Sequence, residues 1–390
     1  MRSFTVDELA NAPFDFLGAP DLEITADGLG PRRLPGWTRP QIPDLFMDAM
    51  VSMGSGVRIR FRTDSDVIEL DAIVTCVRYL AGPTPTQTIQ LIVDGDTAGA
   101  TNAIATTPSV FELDPEDAAT IGFTLGSTDT FRFDLPRAER GSQSRVCELW
   151  LPHGGTIRIT ALRVADGATV ESAGPTGKPR WIHYGSSISH CIEAEVPTGV
   201  WPAVAADLAG VELRSLGLAG QCMLDQFVAR TIRDEAADVI SLKLGINIVN
   251  GDTMRERTFG SAVNGFLDAV RDGHSDTPIL IVSPIWCPSA ETVPGPTLKV
   301  GPVFVTVPGH DVIRAGCLTL SRIREILATI VETRRSLGDI NLHYLDGLRL
   351  FGEADEADLP DALHPNPAGY RRMGERFAEL AFGPEGALAR

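Results

Sequence analysis

The first part of the chain, residues 1–165, alternates apolar and polar side chains with a period of two. Within residues 56–63, GVRIRFRT, three apolar residues alternate with three arginines. This spacing predicts a half-buried β-strand with the arginines on the face opposite the apolar side chains. Similar runs, punctuated by turn residues such as Asp94-Gly95, predict further strands at residues 68–72, 89–93, 131–135, 147–151 and 156–164. Because few helical patterns interrupt them, we predict an all-β sandwich, jelly-roll-like domain over residues 1–165.

The composition changes in residues 166–180, DGATVESAGPTGKPR, which are rich in Gly, Pro, Ser and Thr. Such a segment has few side chains to bury and is typical of an interdomain linker. Its glycine and lysine at 177 and 178 lack the spacing of a phosphate-binding loop, and Pro179 follows the lysine. We therefore exclude a nucleotide-binding loop here.

From residue 181 onward, short apolar runs alternate with helical segments. The apolar runs predict buried strands at residues 181–184, 211–216, 239–244, 279–282 and 342–345. Helical periodicity predicts helices at residues 202–208, 223–235, 256–271, 320–337 and 367–382. This alternation is typical of a parallel sheet covered on both faces, and we predict a three-layer α/β domain over residues 181–390. Functional side chains in such folds gather at the carboxyl ends of the strands.

Charge and composition narrow the range of partners. The 390 residues include 34 Lys and Arg and 51 Asp and Glu, which gives a formal net charge of −17. A surface of this sign repels nucleic-acid phosphates and anionic lipids, so we predict neither partner. No apolar stretch approaches the ~20 residues of a membrane span, and the N-terminus lacks the apolar core of a secretory signal, so we predict a cytoplasmic protein.

Metal and redox motifs are weak in this sequence. The six cysteines include no C-x-x-C pair, and no group of His, Asp and Glu has the spacing of metal ligands. We therefore predict that the protein uses no metal and no cofactor.

Three of the predicted parallel strands end in motifs with chemical potential. Residues 185–188, GSSI, place Ser187 on a strand-to-helix turn where its hydroxyl is accessible as a nucleophile, although the G-x-S-x-G pattern is absent. Gly220 follows the second strand and permits close approach of its N–H to a ligand. Asn247 follows the third strand and has an amide that is able to donate to an oxyanion. Taken singly, each motif also fits an ordinary turn or helix cap.

A fourth motif lies near the C-terminus, in residues 361–367, DALHPNP. Its two prolines prevent a helix through this segment, so we predict a loop before the last helix. On this loop Asp361 is close enough in sequence to reach His364. A histidine with an acid on one ring nitrogen and a nucleophile on the other is the arrangement that activates a serine. A solvated loop with Asp361 as a turn residue is the alternative.

Taken in order, the four motifs resemble the SGNH hydrolases, also called the GDSL esterase/lipase family. Residues 185–188 are similar to the first block, Gly-Asp-Ser-Leu, and Gly220 corresponds to the glycine of the second. Residues 245–248, GINI, are similar to Gly-x-Asn-Asp, and residues 361–365 match Asp-x-x-His-Pro. The resemblance covers residues 181–382. The chain departs from it at Ser186 and Ile248, where the family has aspartates.

The resemblance implies acyl transfer through a covalent acyl-enzyme. Ser187 would be the nucleophile, His364 the general base and acid, and Asp361 the partner of His364. The oxyanion hole would consist of the Ser187 and Gly220 N–H groups and the Asn247 side chain. A β-sandwich joined to the catalytic domain is likewise familiar in carbohydrate deacetylases of this family.

We therefore favour a serine esterase that removes short, acetyl-like acyl groups from a sugar or small molecule. Two alternatives remain: an acyltransferase or lactonase that uses the same triad, and a carbohydrate-binding protein with a non-catalytic SGNH domain. The sequence leaves open whether the chain forms homo-oligomers.

Several further residues have two interpretations each. His190 either lines the pocket or packs in the helix that follows Ser187. Cys191 and Cys222 either form a disulfide or remain reduced thiols. Residues 283–317, which contain Trp286, Phe304 and six prolines including Pro308, are either a lid over Ser187 or a surface excursion. Two tryptophans, Trp37 and Trp150, are candidates for sugar stacking. Core packing is favoured for Trp150, which lies within a predicted strand, whereas Trp37 lies in an irregular segment and fits either role.

Overall fold

The structure is a computed structural model that describes residues 1–79, 82–113, 121–136, 144–307 and 315–389. It divides into two compact units, of which the first is Met1–Gly177 with Glu195–Thr198 and the second is Lys178–Ala194 with Gly199–Arg390. The main boundary falls within the segment predicted as a linker, residues 166–180. Two residues of that segment, Val170–Glu171, form a short strand, and Arg180 begins another. The segment therefore contributes to both units.

The first unit is β-rich, and its strands form two sheets. The strands are β1 (Arg2–Phe4), β2 (Asp15–Leu17), β3 (Asp21–Thr25), β4 (Gly28–Arg32), β5 (Arg58–Thr63), β6 (Val67–Tyr79), β7 (Thr88–Val93), β8 (Asp96–Ile104), β9 (Ser109–Leu113), β10 (Ile121–Thr124), β11 (Asp129–Asp134), β12 (Arg145–Trp150), β13 (Gly155–Val164) and β14 (Val170–Glu171), and the helices are α1 (Val6–Leu9) and α2 (Leu45–Ser52). The larger sheet has the order β10-β9-β6-β13-β4-β3, with β1 on β13 and β11 on β6, and the smaller has the order β14-β5-β12-β7-β8, with β2 on β5. Pairing is antiparallel except between β6 and β9.

Apolar side chains from both sheets meet in one core. Ile59 and Phe61 of β5 and Leu149 of β12 pack there with Leu70 of β6 and Ile159 of β13, and all five are fully buried. The alternation seen in the sequence therefore does produce strands with an apolar inner face. A jelly-roll connection of these strands remains a prediction.

The second face of β5 is not open to solvent, contrary to the prediction of a half-buried strand. Arg58 and Arg60 are only 4% and 8% exposed. The carboxylate of Glu148, on the neighbouring strand β12, lies 3.5 Å from the Arg58 Nε and 3.2 Å from the Arg60 Nε. The Arg58 guanidinium also lies 4.9 Å from the centre of the Trp150 ring. Arginine is buried here because a neighbouring acid and an aromatic face compensate for the lost water.

The two tryptophans singled out for sugar stacking differ in environment. Trp150 is half-buried against Arg58 rather than part of the apolar core. Trp37 is 42% exposed and lies in the 3₁₀ helix Gly36–Gln41.

The second unit is an α/β fold around a parallel sheet of five strands. This confirms the predicted parallel sheet, and the ends of the predicted strands and helices differ from the observed ends by at most five residues. A π-helical turn, Ala378–Phe382, continues the last helix. The elements are β15 (Arg180–Gly185), α3 (Ser187–His190), α4 (Trp201–Ala209), β16 (Glu212–Gly217), α5 (Gln226–Asp234), β17 (Val239–Lys243), α6 (Ile246–Asn250), α7 (Glu256–Arg271), β18 (Ile279–Val282), β19 (Thr297–Val300), β20 (Val303–Thr306), α8 (Leu320–Ser336), β21 (Leu342–Leu345) and α9 (Pro367–Phe377).

The strand order reverses at β15, because the chain adds β16 on one side of it and then β17, β18 and β21 on the other. With right-handed crossovers, this reversal places α4 on one face of the sheet and α5, α7 and α8 on the other. The packing agrees, since α7 contacts both α5 and α8, and the final helix α9 packs against α4. A crevice opens at such a switch point, beyond the carboxyl ends of β15 and its neighbours.

Within the described ranges, no helix is both long enough and apolar enough to cross a membrane.

Candidate active site

Three of the predicted residues meet beyond the carboxyl end of β15. The Ser187 Oγ lies 2.9 Å from the Nε2 of His364, and the Nδ1 of the same ring lies 2.7 Å from the Asp361 Oδ2. The histidine ring therefore bridges a hydroxyl and a carboxylate through its two nitrogens. The carboxylate accepts the Nδ1 proton, which leaves Nε2 as an acceptor for the serine hydroxyl.

Ser187 stands at the first position of α3, directly after the turn that ends β15. Ser186 caps this helix, since its Oγ accepts the Ile188 N–H at 3.3 Å. Aspartate and serine are both strong N-caps, so the departure from the family pattern at this position retains the cap. At the end of β16, Gly217 allows α3 to approach closely, because a Cβ there would lie 2.5 Å from the His190 backbone nitrogen.

A buried chain of hydrogen bonds fixes the same turn from below. The Trp181 Nε1–H donates to the Ser241 Oγ at 2.8 Å, and this hydroxyl lies 2.7 Å from the His183 Nδ1. His183 thus lies between two buried hydroxyls, since its Nε2 is 2.8 Å from the Ser189 Oγ. Burial, with a smaller effect of the Lys243 charge, lowers the pKa of His183 to about 3, so the ring stays neutral.

The loop that carries His364 is fixed by its own backbone. The Asp361 Oδ1 accepts the N–H groups of Leu363 and His364 at 3.0 and 2.7 Å. Asn366 then caps α9 through the Gly369 N–H at 2.8 Å. The aspartate therefore orients its loop with one oxygen and the histidine ring with the other.

The ionisation of this pair follows from its surroundings. Burial raises the pKa of Asp361, but the hydrogen bond and the charge of His364 outweigh burial and lower it overall. Burial lowers the pKa of His364, but the carboxylates of Glu193 and Asp361 outweigh burial and raise it overall. The site therefore favours a protonated imidazole next to an ionised aspartate, which is the charge pattern formed when a base removes a serine proton.

The predicted oxyanion donors follow three neighbouring strands. Ser187 supplies a first-turn N–H of α3, which has no partner within the helix. Gly220 has a φ of +69° in the turn after β16, and among the described residues its N–H has no acceptor. Asn247, 4% exposed on α6, accepts the Cys222 N–H on its Oδ1 at 3.0 Å. Its amide Nδ2 is thereby left to donate.

The second departure from the family pattern, Ile248, is an apolar core residue that is 1% exposed. Gly245 ahead of it has a φ of +117°, and a Cβ there would lie 2.6 Å from the Ile323 side chain. The glycine of this block is thus required by backbone conformation and by packing.

His190 and the two cysteines are structural in this arrangement. His190 is fully buried, and its Nδ1 accepts the Ala219 N–H at 3.4 Å, next to Gly220. Cys191 and Cys222 are both buried free thiols rather than a disulfide. Burial raises the pKa of Cys222 to about 12 and raises that of Cys191 well above its usual value, so neither is a reactive thiolate.

The segment predicted as a lid contains the hairpin of β19 and β20. Phe304 on β20 presents its ring edge-on to His364, with the ring centres 5.7 Å apart, and its N–H donates to the Asp361 backbone oxygen at 3.0 Å. Trp286 instead donates its indole N–H to Glu356 at 2.9 Å. Phe304 thus borders the site, whereas Pro308 lies outside the described residues. A moving lid remains a prediction.

Two features of this site are not marked by any pattern in the sequence. The first is the series of hydrogen bonds from Trp181 through Ser241 and His183 to Ser189. It joins side chains on β15, β17 and α3, which only the three-dimensional fold brings together. Glu193 lies 3.6 Å from the His364 Nδ1 through its Oε1. No motif marks this acid. In the part of the chain that the structure describes, no group of three or more His, Cys, Asp or Glu side chains is placed to hold a metal ion.

Comparison with known proteins places this site in a family. A model of the GDSL-like Lipase/Acylhydrolase family matches residues 183–372. These residues form a GDSL-like lipase/acylhydrolase domain. The match includes Ser187, Gly220 and Asn247 and the loop of Asp361 and His364. No curated protein sequence matches the chain.

Several solved structures resemble this chain over nearly its whole length, not only over the GDSL-like domain. The salicylyl-acyltransferase SsfX3 from a tetracycline biosynthetic pathway is 27% identical, with a TM-score of 0.78, and the likeness covers 96% of this chain and 95% of that one. An active-site mutant of a family two carbohydrate esterase from Clostridium thermocellum has a TM-score of 0.58 at 14% identity, over 94% and 97% of the two chains. The corresponding esterase from Cellvibrio japonicus has a TM-score of 0.57 at 12% identity, over 97% and 96%. The two esterases share the fold alone.

The buried chain beneath the nucleophile turn of the GDSL-like domain generates a prediction. Replacing Ser189 by Ala leaves the His183 Nε2 buried without its hydrogen-bond partner, and we expect the free energy of unfolding to fall by about 1–3 kcal/mol. Urea denaturation measures this change. Ser275→Ala, which removes an exposed hydroxyl, is the control and should change stability by less than about 0.5 kcal/mol. Equal stabilities of the two variants would contradict the role given to this chain.

Proposed function

We propose that the protein is a serine esterase that hydrolyses short-acyl carboxylic esters through an acyl-enzyme on Ser187. The observation that carries this proposal is the continuous relay from the Ser187 hydroxyl through His364 to Asp361, with contacts of 2.9 and 2.7 Å. A protein that only binds carbohydrate has no need of such a relay. The GDSL-like domain match supports the same chemistry.

The reaction follows from the positions of the protons. The Ser187 Oγ attacks the ester carbonyl carbon while the His364 Nε2 takes its proton. The tetrahedral intermediate then collapses, the bond to the alcohol oxygen breaks, and His364 returns the proton to that oxygen. A water molecule next gives a proton to His364 and attacks the acyl-serine. Collapse of the second intermediate releases the carboxylic acid and restores the Ser187 hydroxyl. Throughout, Asp361 stabilises the positive imidazole ring.

The negative oxygen formed in each intermediate needs hydrogen-bond donors that are already in place. We propose that the N–H groups of Ser187 and Gly220 and the Asn247 amide fill this role. Asn247 is well suited because the Cys222 N–H fixes its Oδ1 and thereby determines which end of the amide donates.

We propose that the substrate is an ester of a sugar or small molecule with a small acyl group. Phe304 supports this choice, since it borders the site with its ring centre 5.7 Å from that of His364. Two structural neighbours are family two carbohydrate esterases, which is compatible with a sugar ester. We expect no metal or other cofactor to take part, because the relay supplies both the nucleophile and the proton transfers.

A second candidate is acyl transfer to an acceptor other than water. The observation that favours it is the likeness to the salicylyl-acyltransferase, which extends over 96% of this chain at 27% identity. The two reactions share the acyl-enzyme and differ only in which hydroxyl attacks it. An aromatic acyl group would also find an aromatic neighbour in Phe304.

Ser187→Ala tests the nucleophile. We expect this variant to lose at least about 10³-fold in kcat/KM for p-nitrophenyl acetate while remaining folded, because no other group forms the acyl-enzyme. Release of p-nitrophenol, measured beside the circular dichroism spectrum, checks both points. A series of longer acyl esters on the wild type reports the depth of the acyl pocket. Wild-type activity no higher than that of the variant would contradict the proposal.

Asn247→Ala tests the oxyanion hole. Loss of one donor to the developing oxyanion typically costs about 10²–10³-fold in kcat, so we expect a loss of this size with KM nearly unchanged. The control is Asn264→Ala, on the surface of α7, which should retain wild-type turnover. Wild-type kcat in a folded Asn247→Ala protein would remove Asn247 from the oxyanion hole.

The division of product between acid and transferred ester separates the two candidate functions. With p-nitrophenyl acetate as donor, we expect the hydrolase to yield acetate as its main product even in the presence of added sugar or aromatic alcohol acceptors. Chromatography of the products measures the ratio. A dominant acetylated acceptor, formed only by protein with Ser187 intact, would favour the transferase instead.

A further inference from the structure

The imidazole of His364 faces a second carboxylate besides that of Asp361. The Glu193 Oε1 lies 3.6 Å from Nδ1, the same nitrogen that contacts the Asp361 Oδ2 at 2.7 Å. The longer distance is beyond a hydrogen bond but within the range of an ion pair. Asp361 therefore holds the proton of this nitrogen, and Glu193 adds a second negative charge beside it.

Glu193 is held in this position from two directions. The Tyr370 hydroxyl donates to its Oε2 at 2.8 Å, and Tyr370 is fully buried on α9, the helix that begins just after His364. Burial, together with the Glu193 charge, raises the pKa of Tyr370 well above its usual value, so the phenol remains a donor. The same helix thus follows the loop of the histidine and anchors its second acid.

The backbone before Glu193 is also constrained. Cys191 ends α3 with a left-handed φ of +60°, which is uncommon for a residue other than glycine. Its N–H donates to the Ser187 backbone oxygen at 2.7 Å, and the Ala194 N–H donates to the Cys191 oxygen at 3.0 Å. Glu193 therefore lies in a turn constrained by backbone hydrogen bonds directly after the nucleophile helix, although 36% of its side chain is exposed.

We propose that Glu193 is a positioning residue of the esterase, a second carboxylate that stabilises positive charge on His364 while Ser187 is acylated and deacylated. The inference rests on the proposed function, in which His364 becomes an imidazolium in each step. The charged groups that face this ring are Asp361, Glu193 and Lys299, and the lysine opposes the two acids. Removal of the Glu193 charge should therefore make His364 a weaker base, although Asp361 still fixes the ring.

The direct test is the titration of His364 by NMR in the full-length protein, with the signal assigned by its loss in His364→Gln. Glu193→Gln keeps the side-chain shape and an acceptor for Tyr370 but removes the charge. We expect it to lower the pKa of His364 by about one unit. Glu193→Asp, which keeps the charge, should restore most of the shift. Glu375→Gln removes an exposed charge from α9 and should leave the titration unchanged.

The kinetic test uses kcat/KM for p-nitrophenyl acetate as a function of pH. Because His364 must be neutral to act as a base, activity is lost as the pH falls through its pKa. In Glu193→Gln the acid limb should move to lower pH by about one unit, and the plateau should fall about 3- to 10-fold. In the Asp361→Ala background, the same substitution should cost at least about tenfold more than it does in the wild type, since Glu193 is then the remaining acid.

Two results would overturn this inference: an unshifted His364 titration in folded Glu193→Gln, or a cost of the substitution that is the same with and without Asp361. Failure of the proposed function is recognised separately, by wild-type protein that hydrolyses the ester no faster than Ser187→Ala. Activity that requires Ser187 but is insensitive to Glu193 would reject the second carboxylate and leave the esterase in place.

Discussion

The hydrogen bond between the Ser187 hydroxyl and the His364 imidazole joins two residues that are 177 positions apart. At 2.9 Å it requires the turn after β15 and the loop before α9 to be placed correctly with respect to each other. A shift of about 1 Å would leave the base out of reach of the proton it must remove. The parallel sheet, its strand order and the caps of α3 and α9 can all be understood as the means of holding this contact.

The site keeps its geometry because polar groups beneath it are buried and satisfied. His183 is hydrogen-bonded to Ser241 through one ring nitrogen and to Ser189, in the helix of Ser187, through the other. Because His183 is neutral, it requires no counter-ion. Around His364 the design is different, since carboxylates on two separate segments face one nitrogen. The nucleophile is thus positioned by neutral hydrogen bonds, whereas the base is tuned by charge.

The sequence predicted the parallel sheet and the chain order of the site because both depend on local patterns. Buried strands appear as apolar runs, and the residues at their ends stand where the chemistry must be. It did not predict burial of Arg58 and Arg60, because alternation reports one apolar face and contains no information on what covers the other. It also missed Glu193 and the His183 chain, since each depends on contacts between segments that no spacing marks. The jelly-roll prediction rests on the repetition of short strands with regular turns, whereas the pairing of those strands is a property of the whole fold.

In the proposed mechanism, His364 makes Ser187 the one activated nucleophile of this protein. Reaction of the full chain with a fluorophosphonate ester, a probe of activated serines, followed by mass mapping of the modified peptides, measures this directly. We predict a single adduct on Ser187 that is lost when His364 is replaced by alanine. An adduct on another residue, no adduct in the wild type, or equal labelling of the His364→Ala variant would contradict it.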